Sequence, residues 1–585
     1  MREKLLVLAA SAFIFLLKFD IRALDVTNID WIYRLSFDPG TEILSWQYFR
    51  ISPWSFPIIG QMEGYEFPTV TGAGMTGIVP PLAIPMKILS PILPDTFQYF
   101  GGWFLLCYVL QGWFGLKLLR GLAENYDLKI TSNQYALSAI FFTIAPPLLT
   151  RTGHIHMCSQ FLILAAFYTY FRTADVGKKM KHFFVIVGIM AMIHQYMTVM
   201  VLGIALAAMI DLWQRGHLSF PKLMLLGLGF LVEVGFIFYI LGDFLIPFVA
   251  TQAEGFGKYS SNLNTFFNAD GDGSFLPKLK ILDGQYEGKA YLGLGFILLL
   301  LTTFFYNLSS KTTKILRGAS VENKEISGDK NAKMGLYPLV FVVTLFFIYA
   351  LSCNVAWGDK VLFRWKPGPL FSLFSGSLRA SGRFIWVAFY LIFALGFVGF
   401  YKISLSNWSK TCLLSLFLLI QFRDLQPLIA ANETDYKPCK KDCAYEKWKP
   451  IFNECEKVTM FPTNGWNYKD YSDFYTFAQA AVSQKKSINT GYFARNDDKL
   501  MGEYEEKMKE NFKNGNLEGH EKDVFVGPLK KINRFKTLFD KGMVKAFNFN
   551  GYAVLVPKSL TKTLAYLSQQ PNCPAIDFGT EESSF

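Results

Sequence analysis

Long apolar blocks separated by short polar loops fill the first three quarters of the chain, and a polar, mixed pattern takes over from about Arg423. Blocks of that length and uniformity predict membrane-spanning helices rather than amphipathic surface helices. Spans are expected at about 5–18, 97–118, 132–149, 155–171, 183–193, 197–213, 223–246, 291–305, 336–353, 384–400 and 412–422. The fold class is therefore a polytopic α-helical membrane protein of about eleven transmembrane helices. The loop at about 19–95 interrupts the series, and its second half, GIVPPLAIPMKILSPILP, is apolar but dense in proline. Interior proline breaks helices, so this half reads as re-entrant or surface-lying rather than spanning. The His194-Gln195 break reads either as a true turn or as a kink in one long helix, and the choice inverts everything downstream.

Charge separates the two readings. With the N-terminus cytoplasmic and the break at His194 a turn, Lys117, Arg120, Lys129, Arg172, Lys178, Lys179, Lys181, Arg215, Lys222, Lys311, Lys314, Arg317, Lys324, Lys330, Lys333, Lys402 and Lys410 fall in inside loops. That distribution follows the positive-inside rule. It also accounts for most of the +12 net charge without a nucleic-acid partner, and no basic stripe interleaved with aromatics argues for one. MREKLLVLAASAFIFLLKF has the basic start and short apolar core of a signal peptide, but without a clean cleavage site it reads as an uncleaved first helix. Arg364, Lys366, Arg379 and Arg383 lie outside against the rule, which marks them as candidates for anion binding. The same topology gathers Asp38, Glu42, Arg50, Glu63, Arg151, His154, His156, His194, Gln195, Lys258, Tyr259 and Glu287 on the outer side. Ionisable residues at membrane depth are costly and mark functional sites.

Beyond the helices, VTMFPT, SINTGYF and KAFNFNGYAVLVP read as strands, and FYTFAQAAVSQ and MGEYEEKMKENFKN as helices. They predict an extracytoplasmic α/β domain over 424–585, following a membrane domain over 1–423. The domain carries no GxGxxG, P-loop, GxSxG or HExxH motif. Cys107, Cys158, Cys353 and Cys412 sit in or beside apolar segments, whereas Cys439, Cys443, Cys455 and Cys573 lie in this polar region. An oxidising compartment makes the second four candidates for two disulfides, a better fit to their spacing than a zinc site.

One stretch concentrates chemistry: FDPGTEILSWQYFRISPW, residues 37–54. If it is helical from Pro39, Glu42, Trp46 and Arg50 share a face, because residues four apart are neighbours on a helix. A carboxylate, an indole and a guanidinium on one face suit a sugar ring and a phosphate. Asp38, directly before Pro39, reads equally as a helix N-cap. Asp270-Gly271-Asp272 reads as a polar turn, since the remaining spacing of a calcium loop is missing.

A short first helix, a long outside loop with an early acidic residue, many spans and an outside C-terminal domain resemble the GT-C superfamily of integral-membrane glycosyltransferases. FDPGTEILSWQYFRISPW, RTGHIHMCSQ, KYSSNLNTFF, GQYEGKAYLGLG, SLRASGRFIWVAFY and NTGYFAR resemble more specifically a bacterial family placed in that superfamily. The resemblance implies an inverting transferase that takes a sugar from a polyprenyl-phosphate or polyprenyl-diphosphate donor. The acceptor would be a glycan, lipid or protein at the outer face of the bacterial cytoplasmic (inner) membrane. Asp38 matches the acidic residue that acts on the acceptor; where the family pattern often has His, this chain has Glu42, so either carboxylate is open as the base. Arg379, Arg383 and Arg50 would hold the donor phosphate. Trp46, His154, His156, His194, Tyr259, Tyr286 and Glu287 would line the substrate site. No metal or other cofactor is expected as obligatory, with a divalent cation left open. The rival readings are a transporter or flippase of lipid-linked sugars and a non-catalytic cell-envelope scaffold; no inverted repeat of the transporter kind is evident in the sequence.

Overall fold

The computed structural model describes residues 2–248, 254–316, 334–430, 434–439, 443–463, 471–491, 493, 495–576 and 578. The chain divides into two compact units. The first comprises Met1–Val26, Tyr99–Ile237 and Gln252–Thr434; the second comprises Thr27–Gln98, Phe238–Thr251 and Asp435–Phe585. The long early loop thus shares a unit with the C-terminal region.

The first unit is helical. Among its helices, Phe100–Tyr126, Gln195–Gln214, Phe220–Leu241 (whose last turn falls in the second unit) and Ser381–Lys402 are long and apolar enough to cross a membrane. Ile155–Phe171, Leu294–Ser309 and Tyr337–Leu351 are shorter apolar helices. These helices give the chain the character of a membrane protein. The apolar window of Ser381–Lys402 is 83% buried and that of Phe220–Leu241 only 11%, so one is wrapped by protein and the other turns its apolar surface outward. Around the wrapped helix Phe393 stacks on Phe296 at 3.8 Å between ring centres. A buried polar chain crosses this core: Gln111 Nε2 donates to Tyr390 Oη (2.8 Å), which donates to Gln160 Oε1 (2.5 Å). Buried polar groups are stable only when paired in this way.

The break at His194 is a turn. Val176–Ile193 ends there and Gln195–Gln214 begins, with His194 extended between two helices that pack on each other. Two helix-to-helix connections share one design. Lys179 Nζ donates to the Tyr170 carbonyl (2.8 Å), and Lys410 Nζ to the Tyr401 carbonyl (2.8 Å). In each pair the lysine lies four residues after the N-cap of its own helix, Asp175 or Ser406, and nine after the carbonyl it reaches. Each ammonium meets the negative end of the preceding helix.

The second unit is built on a five-stranded sheet. Its order is Ser487–Ile488, Lys457–Met460, Asp523–Pro528, Tyr552–Pro557, Val544–Phe549. The first three strands are parallel and the last two join antiparallel. The strand and helix stretches read from the sequence fall in this sheet and in the helices Tyr471–Ser483 and Asp498–Lys513. The sequence reading lacked Asp523–Pro528, the middle strand, whose DVFVGP ends in two residues that ordinarily signal a turn. Both sheet edges are covered. Ile488 exchanges backbone bonds with the early loop (to Gly64 O, 2.8 Å; from Phe67 N, 3.1 Å). Residues 574–576 flank the other edge through Asn548 N to Pro574 O and Ile576 N to Ala546 O, both 2.9 Å. Covered edges remove a template for aggregation.

Edge pairing also buries Glu66. One carboxylate oxygen accepts from Asn496 Nδ2 (2.8 Å), and the other is buried without a partner among the described residues. Burial, with Asp498 adding to it, pushes its carboxyl up to about 8. The proline-rich stretch forms a short helix, Pro80–Ile88, and a turn, Ser90–Ile92, too short to cross a bilayer. Of the four cysteines expected to pair, Cys439 and Cys443, four residues apart, form a disulfide. Cys455 and Cys573 are buried as free thiols, which corrects the expectation of a second bridge. Cys455 is fixed beside the first sheet strand by its contact with the Phe452 carbonyl (3.3 Å), and burial pushes its thiol up to about 12.

Candidate functional site

Within the second unit, residues 37–51 form a helix as expected. The N-cap is Ser36, not Asp38, which sits in the first turn with its carbonyl accepting from Thr41 Oγ1 (2.8 Å). A carboxylate in a first turn favours the positive end of the helix. Asp38 is half-buried and Glu42 buried. The helix start is held tightly: Tyr475 donates to the Phe37 carbonyl and stacks on its ring. A Cβ on Gly40 would lie 2.4 Å from the Tyr475 ring, so this approach needs glycine. Further along, Trp46 is fully buried and donates Nε1 to the Phe97 carbonyl (2.9 Å). Arg50 spends its guanidinium on the loop that follows the proline-rich helix. Nη1 donates to Pro94 O (2.7 Å) and Asp95 O (2.9 Å), Nη2 to Ser90 O and Leu93 O (both 3.2 Å), and Nε to Ser90 Oγ (3.2 Å). Trp46 therefore packs and Arg50 anchors a loop, while the two carboxylates occupy the first two turns.

Within the first unit a denser constellation forms from four separated segments. Arg151 follows the helical turn Pro146–Leu149; Glu287 lies in the 3-10 turn Gln285–Gly288; Arg383 lies in the 3-10 turn Ser381–Phe384; His194 caps Gln195–Gln214. Glycine brings the two 3-10 turns together. A Cβ on Gly382 would meet the Gly288 backbone at 2.8 Å, and one on Gly288 would meet Ser261 Cα at 2.4 Å. The glycines of GQYEG and RASGRF thus allow backbone contact that carries Glu287 to Arg383.

Glu287 Oε2 receives Arg151 Nη1 (3.0 Å) and Arg383 Nε (2.9 Å). Arg151 Nη2 also donates to the Glu287 carbonyl (2.7 Å). Arg151 lies over Trp386 (5.2 Å to the ring centre) and Arg383 over Tyr196 (5.1 Å). His156 stacks on His194 at 4.8 Å, with His154 edge-on to His156 at 6.5 Å. Burial works to raise the Glu287 pKa, but Arg383 and then Arg151 outweigh it and hold the carboxyl well below its ordinary range. Burial, followed by His156 and Arg383, pushes His194 well below the ordinary imidazole value, so it is neutral. Its Nδ1 accepts from the Tyr196 backbone (3.1 Å).

Two guanidiniums therefore share one carboxylate in a setting where Arg151 is 4% exposed. Three buried donors at this place have no acceptor among the described residues: Arg151 Nε, Ser381 Oγ and Trp386 Nε1. Unsatisfied buried donors beside two guanidiniums are what a bound anion would complete. Arg379 lies on a more open margin, half-buried over Tyr259 (5.6 Å) with Nη1 on the Glu254 carbonyl (3.1 Å). Tyr259 meets the exposed Tyr286 edge-on at 6.3 Å. The sequence reading placed Arg151 on the outer side without assigning it to the site, and it passed over Tyr196, Ser381 and Trp386. Their signal is nearness in sequence: Tyr196 follows Gln195, Ser381 lies between Arg379 and Arg383, and Trp386 lies three residues past Arg383.

Asp270 and Asp272 lie in a turn, with φ of 44° at Asp270 and 84° at Gly271. Lysines occupy them: Lys278 and Lys289 on Asp270 (2.9 and 3.1 Å), Lys289 on Asp272 (3.1 Å). Among the described residues no group of three or more His, Cys, Asp or Glu is arranged to hold a metal ion.

No curated protein matches the chain. Among solved structures, the chain is similar to the oligosaccharyltransferase of Archaeoglobus fulgidus in its apo form, with 11% identity and a TM-score of 0.39 over 98% of this chain and 76% of that one. It is likewise similar to oligosaccharyltransferase AglB from the same organism in complex with an inhibitory peptide and a dolichol-phosphate (12% identity, TM-score 0.38, 98% and 75% covered). The model of a family described as "Domain of unknown function (DUF6311)" matches residues 7–426, and that of the "DUF6311 C-terminal domain" matches residues 447–557. With most of its length matched by the first of these, the chain belongs to the DUF6311 family.

Proposed function

We propose that this chain is a membrane glycosyltransferase that moves a sugar from a polyprenyl-(di)phosphate-linked donor to a glycan, lipid or protein acceptor at the outer face of the bacterial cytoplasmic membrane. The observation that carries the reading is the buried cluster of Arg151, Glu287 and Arg383, beside three buried donors without an acceptor among the described residues, in a unit of membrane-length helices. A lipid-linked phosphate is an anion that such a unit can meet at membrane depth. In this reading the topology has about eleven spans, a cytoplasmic N-terminus and an extracytoplasmic C-terminal domain.

Arg383 and Arg151 bind the donor phosphate, and Arg379 stands at the margin. The His154, His156 and His194 group, with Tyr259 and Tyr286, lines the same region. Asp38 is the general base, with Glu42 the second carboxylate of its helix. The acceptor hydroxyl gives its proton to the carboxylate as its oxygen attacks the anomeric carbon, and the bond from that carbon to the phosphate oxygen breaks with inversion. The departing lipid phosphate takes the bonding electron pair, and fixed guanidiniums stabilise that charge as it develops. Nothing in this scheme requires a metal.

The test is sugar transfer by the purified protein in detergent, with a panel of polyprenyl-linked sugars and the wild type beside Arg383→Gln and Asp38→Asn. The expected result is transfer by the wild type and its collapse in both folded variants, with donor binding lost only in Arg383→Gln. Transfer unchanged by Arg383→Gln overturns the assignment of the cluster.

A further inference from the structure

We propose that residues 354–377 dock on the anionic phospholipid of the bilayer surface. Exposed apolar side chains of a β-hairpin and a short helix enter the acyl boundary, and Lys360, Arg364 and Lys366 bind lipid phosphates. This surface lies outside the sugar-transfer reading and does not depend on it.

The segment is held at the membrane boundary from both sides. It closely follows the apolar helix Tyr337–Leu351 and leads into the membrane-length stretch Ser381–Lys402. Its strands, Asn354–Trp357 and Lys360–Arg364, pair antiparallel. The first is built into the protein: Leu263 N donates to Ala356 O (3.0 Å), and Asn262 clamps the turn, accepting from Gly358 N (3.0 Å) and donating to Gly358 O (2.8 Å). The second pairs with no further strand among the described residues, and every one of its side chains is exposed. Trp365 Nε1 donates to Ser352 O (3.0 Å), and its ring meets Phe371 (5.3 Å), which packs on Tyr349 (6.1 Å). The helix Pro369–Ser377 is thereby fixed at the end of Tyr337–Leu351, where Tyr349 Oη also donates to Leu378 O (3.1 Å).

This rigid support presents apolar and basic groups together. Leu362 is 62% exposed, Phe363 60% and Leu370 85%. Leu370, Leu373 and Phe374 share one helix face at spacings of three and four, and all three are exposed. In water an exposed apolar edge strand is a template for aggregation. Beside membrane helices the same side chains are covered by lipid, and the exposed Trp357 suits the headgroup level. Lys360, Arg364 and Lys366 are exposed, and no carboxylate pairs with them among the described residues. Asp359, the acid of this segment, is taken by Lys280 (3.0 Å), while Arg364 Nε is steadied by Asn354 Oδ1 (3.0 Å). The basic groups complement an anionic surface, whereas a zwitterionic one would engage the apolar side chains alone.

The experiment places a photoreactive benzophenone side chain at position 363 of the full-length protein. The protein is held in nanodiscs of phosphatidylcholine and phosphatidylglycerol in equal parts, with identical acyl chains, and adducts are identified by mass. The parent is compared with Lys360→Gln/Arg364→Gln/Lys366→Gln and with Lys499→Gln/Lys507→Gln/Lys513→Gln, which removes the same charge from exposed positions of another helix. Phospholipid adducts are expected, with phosphatidylglycerol favoured by about fivefold or more, the scale of one basic group at an anionic surface. The preference should fall to near parity in the first triple variant and persist in the second. Equal yields or an excess of phosphatidylcholine in the parent overturn the anionic-lipid assignment, as does a preference that survives the first variant or falls alike in both. Absence of lipid adducts, or adducts to protein alone when the same chain is irradiated in native membranes, overturns the placement at the bilayer surface.

Discussion

The helix Phe37–Ile51 and the cluster around Glu287 each display carboxylate, guanidinium and aromatic groups, but they use them differently. On the helix, side chains four residues apart go to separate tasks: Arg50 to loop carbonyls, Trp46 to the core, Asp38 and Glu42 to the first turns. In the cluster, residues 136 and 96 positions from Glu287 converge on one oxygen of its carboxylate. Arg50 has its five N–H groups directed at neutral oxygens of one loop, whereas Arg151 retains a buried Nε with no partner among the described residues. An arginine that finishes its hydrogen bonds within its own fold is an anchor. One that is buried, shares a counter-ion and still has donors left over is poised for a ligand.

Four perturbations sharpen that contrast. The largest effect is expected for Glu287→Ala, which removes the carboxylate that two buried guanidiniums share and is predicted to cost about 3–5 kcal/mol, read by thermal unfolding in detergent. Next comes the pH response of Glu66. Its folded pKa of about 8 lies above the ordinary carboxyl value, so the folded state holds the proton more tightly than the unfolded state. Its contribution is fully present below about pH 4.5 and is lost as pH rises through about 8, a change on the order of a few kcal/mol. Glu66→Gln should flatten that slope in a pH series of melting curves. Arg50→Ala should loosen residues 90–95 by about 1–3 kcal/mol, seen as faster amide exchange confined to that loop. The smallest effect is Trp46→Phe, which keeps the buried ring and removes one hydrogen bond to Phe97, at about 1 kcal/mol in the same melting assay.

What the sequence disclosed follows from range. The helix at 37–51, the non-spanning proline-rich stretch and the helices and most strands of the C-terminal region depend on local periodicity and breakers, so they could be read directly, whereas the turn at His194 was open between turn and kink from local pattern and was favoured only by the charge of distant loops. The Ser36 cap, the free Cys455 and Cys573, and the middle strand Asp523–Pro528 were not evident, because each is decided by neighbours distant in sequence or by burial. Arg379, Arg383 and Glu287 stood out as charges on the outer side, but their grouping did not. The Gly288–Gly382 contact that sets Glu287 against Arg383 leaves no periodic trace in the chain. The union of residues 27–98 with 435–585 in one unit is equally a matter of long-range pairing, made visible by Gly64–Phe67 on the strand at Ile488.

The most direct test of the central claim is the affinity of the full-length protein in nanodiscs for an unglycosylated polyprenyl phosphate, with Arg383→Gln set beside Arg50→Gln. The account predicts a loss of about tenfold to a hundredfold for Arg383→Gln, the scale of one charge-assisted hydrogen bond, and an unchanged affinity for Arg50→Gln. Unchanged binding in Arg383→Gln, or an equal loss in both variants, would contradict it.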